Sequence, residues 1–141
     1  MIDLKKLTIK SAHEHLHNGD FSASELTESY LVEIGKNNPE MNAYLEVFDD
    51  CTEQAKKADK ILKDGSEPRL LTGIPIAIKD NILIKGRTAS SASKILEKYK
   101  AVYDATVINK LKDHGAVFLG RTNMDEFAMG GSTENSAYGI T

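Results

Sequence analysis

Apolar positions recur at three- and four-residue steps near the start of the chain. Within residues 5–17 they are Leu7, Ile9, Ala12 and Leu16, which predicts a helix. Asn18-Gly19 supplies its stop, because glycine adopts the left-handed conformation that ends helices. Ser22 then opens the run Ser-Ala-Ser-Glu. The Ser22 hydroxyl can accept a free N–H while Glu25 reaches back, which forms a capping box. The helix so predicted runs to about Lys36, with Leu26, Tyr30 and either Ile34 or Val32 turned inward. Asn37-Asn38-Pro39 is expected to end it, since proline disfavours the helical region for the residue before it.

Residues 43–48 alternate as a strand, with Tyr44, Glu46 and Phe48 against Leu45 and Val47. Asp50 followed by Glu53 marks a third helix, with Ala55, Ala58, Ile61 and Leu62 on one face and Gly65 closing it. The apolar run through residues 72–80 predicts a buried strand with Pro75 near its start or on an edge. Asp104 is placed to cap a helix reaching Lys112, and His114-Gly115 ends it. A second short buried strand is expected at 116–119, a short helix from the cap-like Asn123-Met-Asp-Glu126, and a polar glycine-rich loop at 130–136. Helices and strands alternate, so the fold class is α/β. Residues 1–65 are expected to be mainly helical and 66–141 to begin the α/β core, all within one domain.

Composition narrows the function classes. The 141 residues suit one domain, and 40% hydrophobic with 28% charged residues fits a globular chain. A net charge of −3 offers no basic field for holding nucleic acid unaided. No apolar stretch is long enough to span a bilayer, and the N-terminus lacks the apolar core of a secretory signal. The single cysteine, Cys51, cannot form an internal disulfide. A cytoplasmic location is expected.

Four features could carry chemistry. His13-Glu14-His15-Leu16-His17 matches H-E-x-x-H, which would place His13 and His17 on one helix face for zinc with Glu14 as base. No motif supplies a third ligand, and histidines near a helix C-terminus also suit the dipole; no metal site is expected. Lys79 ends an apolar strand, where desolvation would favour a neutral amine able to accept a proton. The plainer alternative, a solvated lysine or one paired with Asp80, is favoured by spacing alone. The Gly130-Gly131-Ser132-Thr133 loop could present N–H groups to an anion or carbonyl oxygen, and its plainer reading is an ordinary turn. It has the wording of neither a Walker loop nor a dinucleotide fingerprint. Cys51 at a helix start reads as structural.

Three segments resemble the amidase signature family. Gly73-Ile-Pro-Ile-Ala-Ile-Lys-Asp-Asn81 is similar to the block carrying the family's catalytic lysine. Ala92-Ser-Lys-Ile-Leu96 with Tyr103-Asp-Ala-Thr106 resembles the block that follows. Residues 120–139 resemble the stretch leading to the signature proper, and Asp125-Glu-Phe-Ala-Met-Gly130 is similar to the family's tRNA-dependent amidotransferase branch.

The resemblance implies part of the family's mixed sheet, incomplete at the C-terminus, and amide hydrolysis by a Ser–cis-Ser–Lys triad. Lys79 matches the lysine, in a desolvated strand-end setting. Asp80 and Asn81 are expected to hold that strand end, and Met129, Gly130, Gly131 and Ser132 to border the amide pocket. Both serines are expected beyond Thr141, so the segment alone is expected to be catalytically silent. Strands 74–79 and 116–120 are then expected to expose apolar faces and unpaired edges. In that branch the chain is the glutaminase component, with glutamine as substrate. It works with subunits B and C, tRNA is held mainly by B, and the whole complex uses ATP and magnesium, none of it bound by this chain. Another amidase, or a non-catalytic partner-binding remnant, are the alternative readings.

Overall fold

The computed structural model describes residues 2–64 and 67–141, so Gly65, the expected stop of the third helix, lies outside the described residues. Helix α1, Ile9–Asn18, begins at a capping box formed by two hydroxyl residues. Thr8 Oγ1 accepts the Ser11 N–H at 3.1 Å, and Ser11 Oγ accepts the Thr8 N–H at 2.9 Å. Ala12 and Leu16 are buried, and Gly19 at φ 75° ends the helix as Asn-Gly predicts.

Helix α2, Ala23–Met41, starts on the expected Ser22–Glu25 box. A further cap arrives from outside the helix. The Asp59 carboxylate accepts the Ala23 N–H at 2.6 Å and the Ser24 N–H at 3.2 Å, placing negative charge where the dipole favours it. The helix does not stop at Asn37-Asn38-Pro39, and Pro39 lies inside its last turn. A proline there forfeits one N–H and the bond to the carbonyl four residues back. Tertiary contacts offset that loss. The Asn38 side chain accepts the Tyr44 N–H at 2.7 Å and donates to the Tyr44 carbonyl at 3.0 Å. Asn42, at φ 49°, then closes the helix in the left-handed region that asparagine tolerates. Leu26 is buried, Tyr30 and Ile34 pack against the core, and Val32 is exposed.

Strand β1 is Tyr44–Val47 and helix α3 is Cys51–Lys63. Cys51, Ala55 and Ala58 form the buried face of α3, joined by Leu62, whereas Ile61 is exposed. Strand β2, Pro75–Lys79, starts at its proline as expected. Helix α4, Thr106–Asp113, leads to strand β3, Val117–Thr122. Asp104 does not cap α4. It accepts the Lys85 N–H at 2.8 Å and Lys112 Nζ at 2.6 Å, so its carboxylate is committed before it could reach the first turn. Asn123-Met-Asp-Glu126 yields only a 3-10 turn, Glu126–Ala128, with Phe127 at φ 54°. No helix among the described residues is long and apolar enough to cross a membrane.

The sheet order is β1-β3-β2, with β3 antiparallel to β1 and parallel to β2. The sheet is therefore mixed and draws strands from both portions of the chain. Val117, Phe118, Leu119 and Gly120 are all buried, because β3 has a strand on either side and α3 packs on it. Of the two strands expected to expose an apolar face, β2 does so. Expected also to be buried, it is an edge strand whose Ala77 is exposed while Ile78 is buried, since among the described residues no strand pairs on its other side.

Two close fits hold β1 and α3 to β3. The backbones of β1 and β3 approach so tightly that a Cβ on Gly120, which pairs with Val47, would lie 2.2 Å from the Glu46 carbonyl oxygen. Beyond the end of β1, the Gln54 side chain takes over as a strand would. Its Oε1 accepts the Phe118 N–H at 2.9 Å and its Nε2 donates to the Phe118 carbonyl at 3.4 Å. Gly120→Ala should therefore destabilise the fold by about 2–4 kcal/mol in urea unfolding. Gln54→Ala, which strands a half-buried N–H and carbonyl, should cost about 1–3 kcal/mol. Unchanged midpoints would show that these contacts do not hold the sheet.

Candidate functional site

Successive side chains of a strand point to opposite faces. On β2, Ile76 and Ile78 face the core, which turns Ala77 and Lys79 the other way. Lys79 ends the strand opposite Thr122 of β3 and is exposed. Among the described residues, no hydrogen bond or ion pair reaches its ammonium group. Nothing among the described residues covers the outer face of β2, an edge strand, so they do not provide the expected desolvation of Lys79.

Asp80 does not pair with Lys79. It continues the alternation and points to the buried side, with 1% of its surface exposed. Its N–H extends the ladder by one bond, to the Thr122 carbonyl at 3.1 Å. Its carboxylate accepts Arg121 Nη1 at 2.8 Å, the Ser90 N–H at 3.2 Å, the Ala92 N–H at 2.8 Å and the Ser90 hydroxyl. Arg121 in turn donates through Nε to Glu46 of β1 at 2.7 Å. Burial works against the charge on Arg121, but the Glu46 and Asp80 carboxylates outweigh it and raise the guanidinium pKa. Asn81, expected to help hold the strand end, is exposed, and its side chain has no hydrogen bond among the described residues.

The segment that Asp80 holds is itself in an uncommon conformation. Ser91 and Ala92 have φ 49° and 51°, values that non-glycine residues keep only when neighbours over-determine them. Here the Ser91 N–H donates to the Asp80 carbonyl at 3.2 Å. The outward carbonyls are used as well: Ser91 accepts the Phe127 N–H at 2.9 Å and Ala92 accepts the Ala137 N–H at 3.0 Å. A continuous path of hydrogen bonds thus runs from the end of β2 to the glycine-rich loop.

That loop is organised around Asp125. The carboxylate accepts N–H bonds from Ser132 at 3.2 Å, Thr133 at 3.0 Å and Asn135 at 3.0 Å, and Gly130 packs so close that a Cβ there would meet the Asp125 carboxyl carbon at 2.4 Å. The Ser132 N–H therefore does not point at an open site, and the Ser132 hydroxyl donates to Glu134 at 2.6 Å. Met129 is 82% exposed, and among the described residues the N–H groups of Gly130 and Gly131 have no acceptor. Asn123, which the residue pattern marked as a helix cap, and Asn42, which it did not mark as a site residue, fasten the segment that follows. Asn123 donates to the Gly139 carbonyl at 2.9 Å, and Asn42 donates to the carbonyls of Tyr138 at 3.0 Å and Ile140 at 3.1 Å.

The other candidates lie apart. His13 and His17 stack with ring centroids 6.5 Å apart, and among the described residues no group of three or more His, Cys, Asp or Glu side chains is placed to hold a metal ion. Cys51 is buried and donates to the Phe48 carbonyl. Burial pushes its thiol pKa up, as suits a structural residue. Concavities of about 460 and 770 Å³ open elsewhere, and neither is lined by Lys79 or residues 129–132.

The three N–H donors, led by Asn135 and Thr133, hold the Asp125 carboxyl below the usual carboxylate range. A carboxyl whose pKa is lower folded than unfolded stabilises the fold above its unfolded value, near 4. That contribution is lost as pH falls through the folded value. Asp125→Asn should therefore be less stable than the parent near pH 7, with the gap closing below about pH 4 in urea melts. A gap that stays constant with pH would contradict this assignment.

The profile of the family described as Amidase matches residues 25–141. The A subunit of glutamyl-tRNA(Gln) amidotransferase from Ruminiclostridium cellulolyticum is 48% identical over 141 residues, covering 99% of this chain and 29% of that protein. The solved structure of the corresponding A subunit of glutamyl-tRNA(Gln) amidotransferase from Thermotoga maritima superposes with a TM-score of 0.77 at 38% identity, over 100% of this chain and 28% of that one. The native peptide amidase of Stenotrophomonas maltophilia superposes with a TM-score of 0.87 at 28% identity, over 98% and 30%. The chain thus spans about 29% of the length of the curated relative it matches. The matched residues include β2 with Lys79, the Asp80-held segment and the Asp125 loop, and on that match the chain belongs to the amidase family.

Proposed function

We propose that this chain supplies the lysine-bearing N-terminal part of a glutaminase, the A subunit of a tRNA-dependent amidotransferase. The observation that carries the reading is 48% identity to such a protein across 99% of the chain. The peptide amidase superposes more closely, at a TM-score of 0.87 against 0.77 for the Thermotoga maritima A subunit, but shares 28% identity against 38%. In this reading Lys79 is the base of a Ser–cis-Ser–Lys triad. Its neutral amine takes a proton through a bridging serine while a second serine attacks the carboxamide carbon of glutamine. The C–N bond breaks, ammonia leaves with the transferred proton, and water hydrolyses the acyl-serine to glutamate.

The local geometry supports seeking both serines elsewhere. Ser132 is bonded to Glu134, and the Ser136 hydroxyl donates to Asn123 Oδ1 at 2.6 Å. Residues that the longer relatives have and this chain does not span would supply the serines, cover the outer face of β2 and thereby desolvate Lys79. Met129, Gly130, Gly131 and Ser132 border the amide pocket in this reading, with the Gly130 and Gly131 N–H groups open to a carbonyl oxygen. Subunits B and C are the partners, and B carries the tRNA and uses ATP and magnesium to activate the misacylated glutamate.

The test is ammonia release from glutamine by the enzyme assembled with subunits B and C. Lys79→Ala should lower the rate by about a thousandfold or more, since members of such a triad act as a unit. The 141-residue chain alone should release none. Ammonia release by the Lys79→Ala enzyme at the parental rate would overturn the reading. Turnover of small peptide amides in preference to glutamine would move the assignment to a different amidase.

A further inference from the structure

We propose that Asp80 is the positioning residue for Lys79, acting as a buried anchor that fixes the lysine-bearing strand end against the 90–92 segment and, through it, the glycine-rich loop. The proposal rests on the reading of Lys79 as the base. Asp80 and Lys79 are neighbours on a strand, so their side chains point to opposite faces and the carboxylate cannot touch the reacting atoms. What it can do is set where the backbone of Lys79 lies.

Three features make the anchor stiff. The Asp80 side chain is wholly buried, and its two oxygens are filled by donors from two separate segments, Ser90–Ala92 and Arg121. Its main chain is bonded in both directions, to Thr122 and to Ser91. The Arg121 side chain that balances its charge is itself held by Glu46 of the opposite edge strand, so β1, β3 and the end of β2 are tied across the sheet. The 90–92 segment then carries the tie outward. Its left-handed Ser91 and Ala92 turn their carbonyls to Phe127 and Ala137, on either side of residues 129–132. Lys79 and the loop proposed to border the amide are thus indexed to the same carboxylate, although no direct bond joins them. A base displaced by about 1 Å loses rate by a factor of about a hundred, while the Asp125 carboxylate still holds residues 132–135 of the loop that borders the amide.

Asp80→Asn keeps the shape and removes the charge that Arg121 and the two N–H groups bind. In the assembled enzyme it should lower kcat for glutamine about a hundredfold, with KM within about threefold of the parent. Ser90→Ala removes one donor and leaves the charge pair intact. It should fold normally and lower kcat about tenfold, again with little change in KM. Parental kcat in a folded Asp80→Asn enzyme overturns the proposal, as does a loss carried mainly by KM. If Asp80→Asn does not fold, Ser90→Ala decides, and parental kcat there overturns it equally. Lys79→Ala assayed alongside separates the two ideas. An inactive Lys79→Ala with a fully active Asp80→Asn defeats the anchor alone, whereas an active Lys79→Ala defeats the reading of the base and the anchor with it.

Discussion

A buried carboxylate sets the geometry of this chain. Asp80 carries its charge with 1% of its surface exposed, which is sustainable only because its oxygens are filled by donors and a guanidinium lies at 2.8 Å. Removing Arg121 would leave the buried carboxylate without its counter-charge, at about 3–5 kcal/mol, whereas Arg121 keeps Glu46 if Asp80 is lost. The arrangement therefore demands that β3, the end of β2 and the 90–92 segment meet in one way. The left-handed residues at 91 and 92 depend on it, and the loop beyond 125 hangs from them.

The sheet meets its own constraints by substitution of one group for another. Where β1 ends, the amide of Gln54 serves the backbone of Phe118. Where β1 comes closest, Gly120 gives way to the Glu46 carbonyl. Asp59 does the same for the start of α2, adding a second acceptor to the Ser22–Glu25 box. Each device lets a short element end inside the structure without stranding a polar group. Among the described residues, the outer face of β2 has no such cover. Ala77 and Lys79 are exposed there, and Met129 and Ile140 lie uncovered in the loop segment. The chain spans about 29% of the length of its curated relative, and in the proposed enzyme that face receives the rest of the domain.

What was legible in the residues was mostly local. The capping box at Ser22, the stop at Asn18-Gly19 and the strand that begins at Pro75 all follow from short-range rules, and the structure has each of them. The apolar run at 72–80 read as a buried strand, whereas β2 is an edge with Ala77 exposed, because no strand pairs on its other side among the described residues. The Thr8–Ser11 box escaped because serine stands where glutamate is usual. The end of α2 escaped because a proline rule was overridden by Asn38 binding Tyr44, a contact invisible to local patterning. Asp104 and Asn123 read as caps, yet the Asp104 carboxylate accepts the Lys85 N–H and the Asn123 amide donates to the Gly139 carbonyl. The Asp80–Arg121 pair joins residues 41 apart, a partnership that single-sequence spacing cannot announce. Lys79 stood out by its place at the strand end and was proposed as a base only through resemblance. Its exposed setting is the plainer alternative that spacing favoured, since desolvation depends on what covers an edge strand and not on the strand's own letters.

The central claim is that the Asp80 carboxylate holds the 90–92 segment to the end of β2. Amide hydrogen exchange reports that directly, because the Ser90 and Ala92 N–H groups are protected only while they donate to it. The account predicts that both amides, and that of Phe127 beyond them, exchange slowly in the parent chain and speed up together in Asp80→Asn, while the Phe118 amide held by Gln54 keeps more of its protection. Fast exchange at Ser90 and Ala92 in the parent, or protection there that survives loss of the carboxylate, would contradict it.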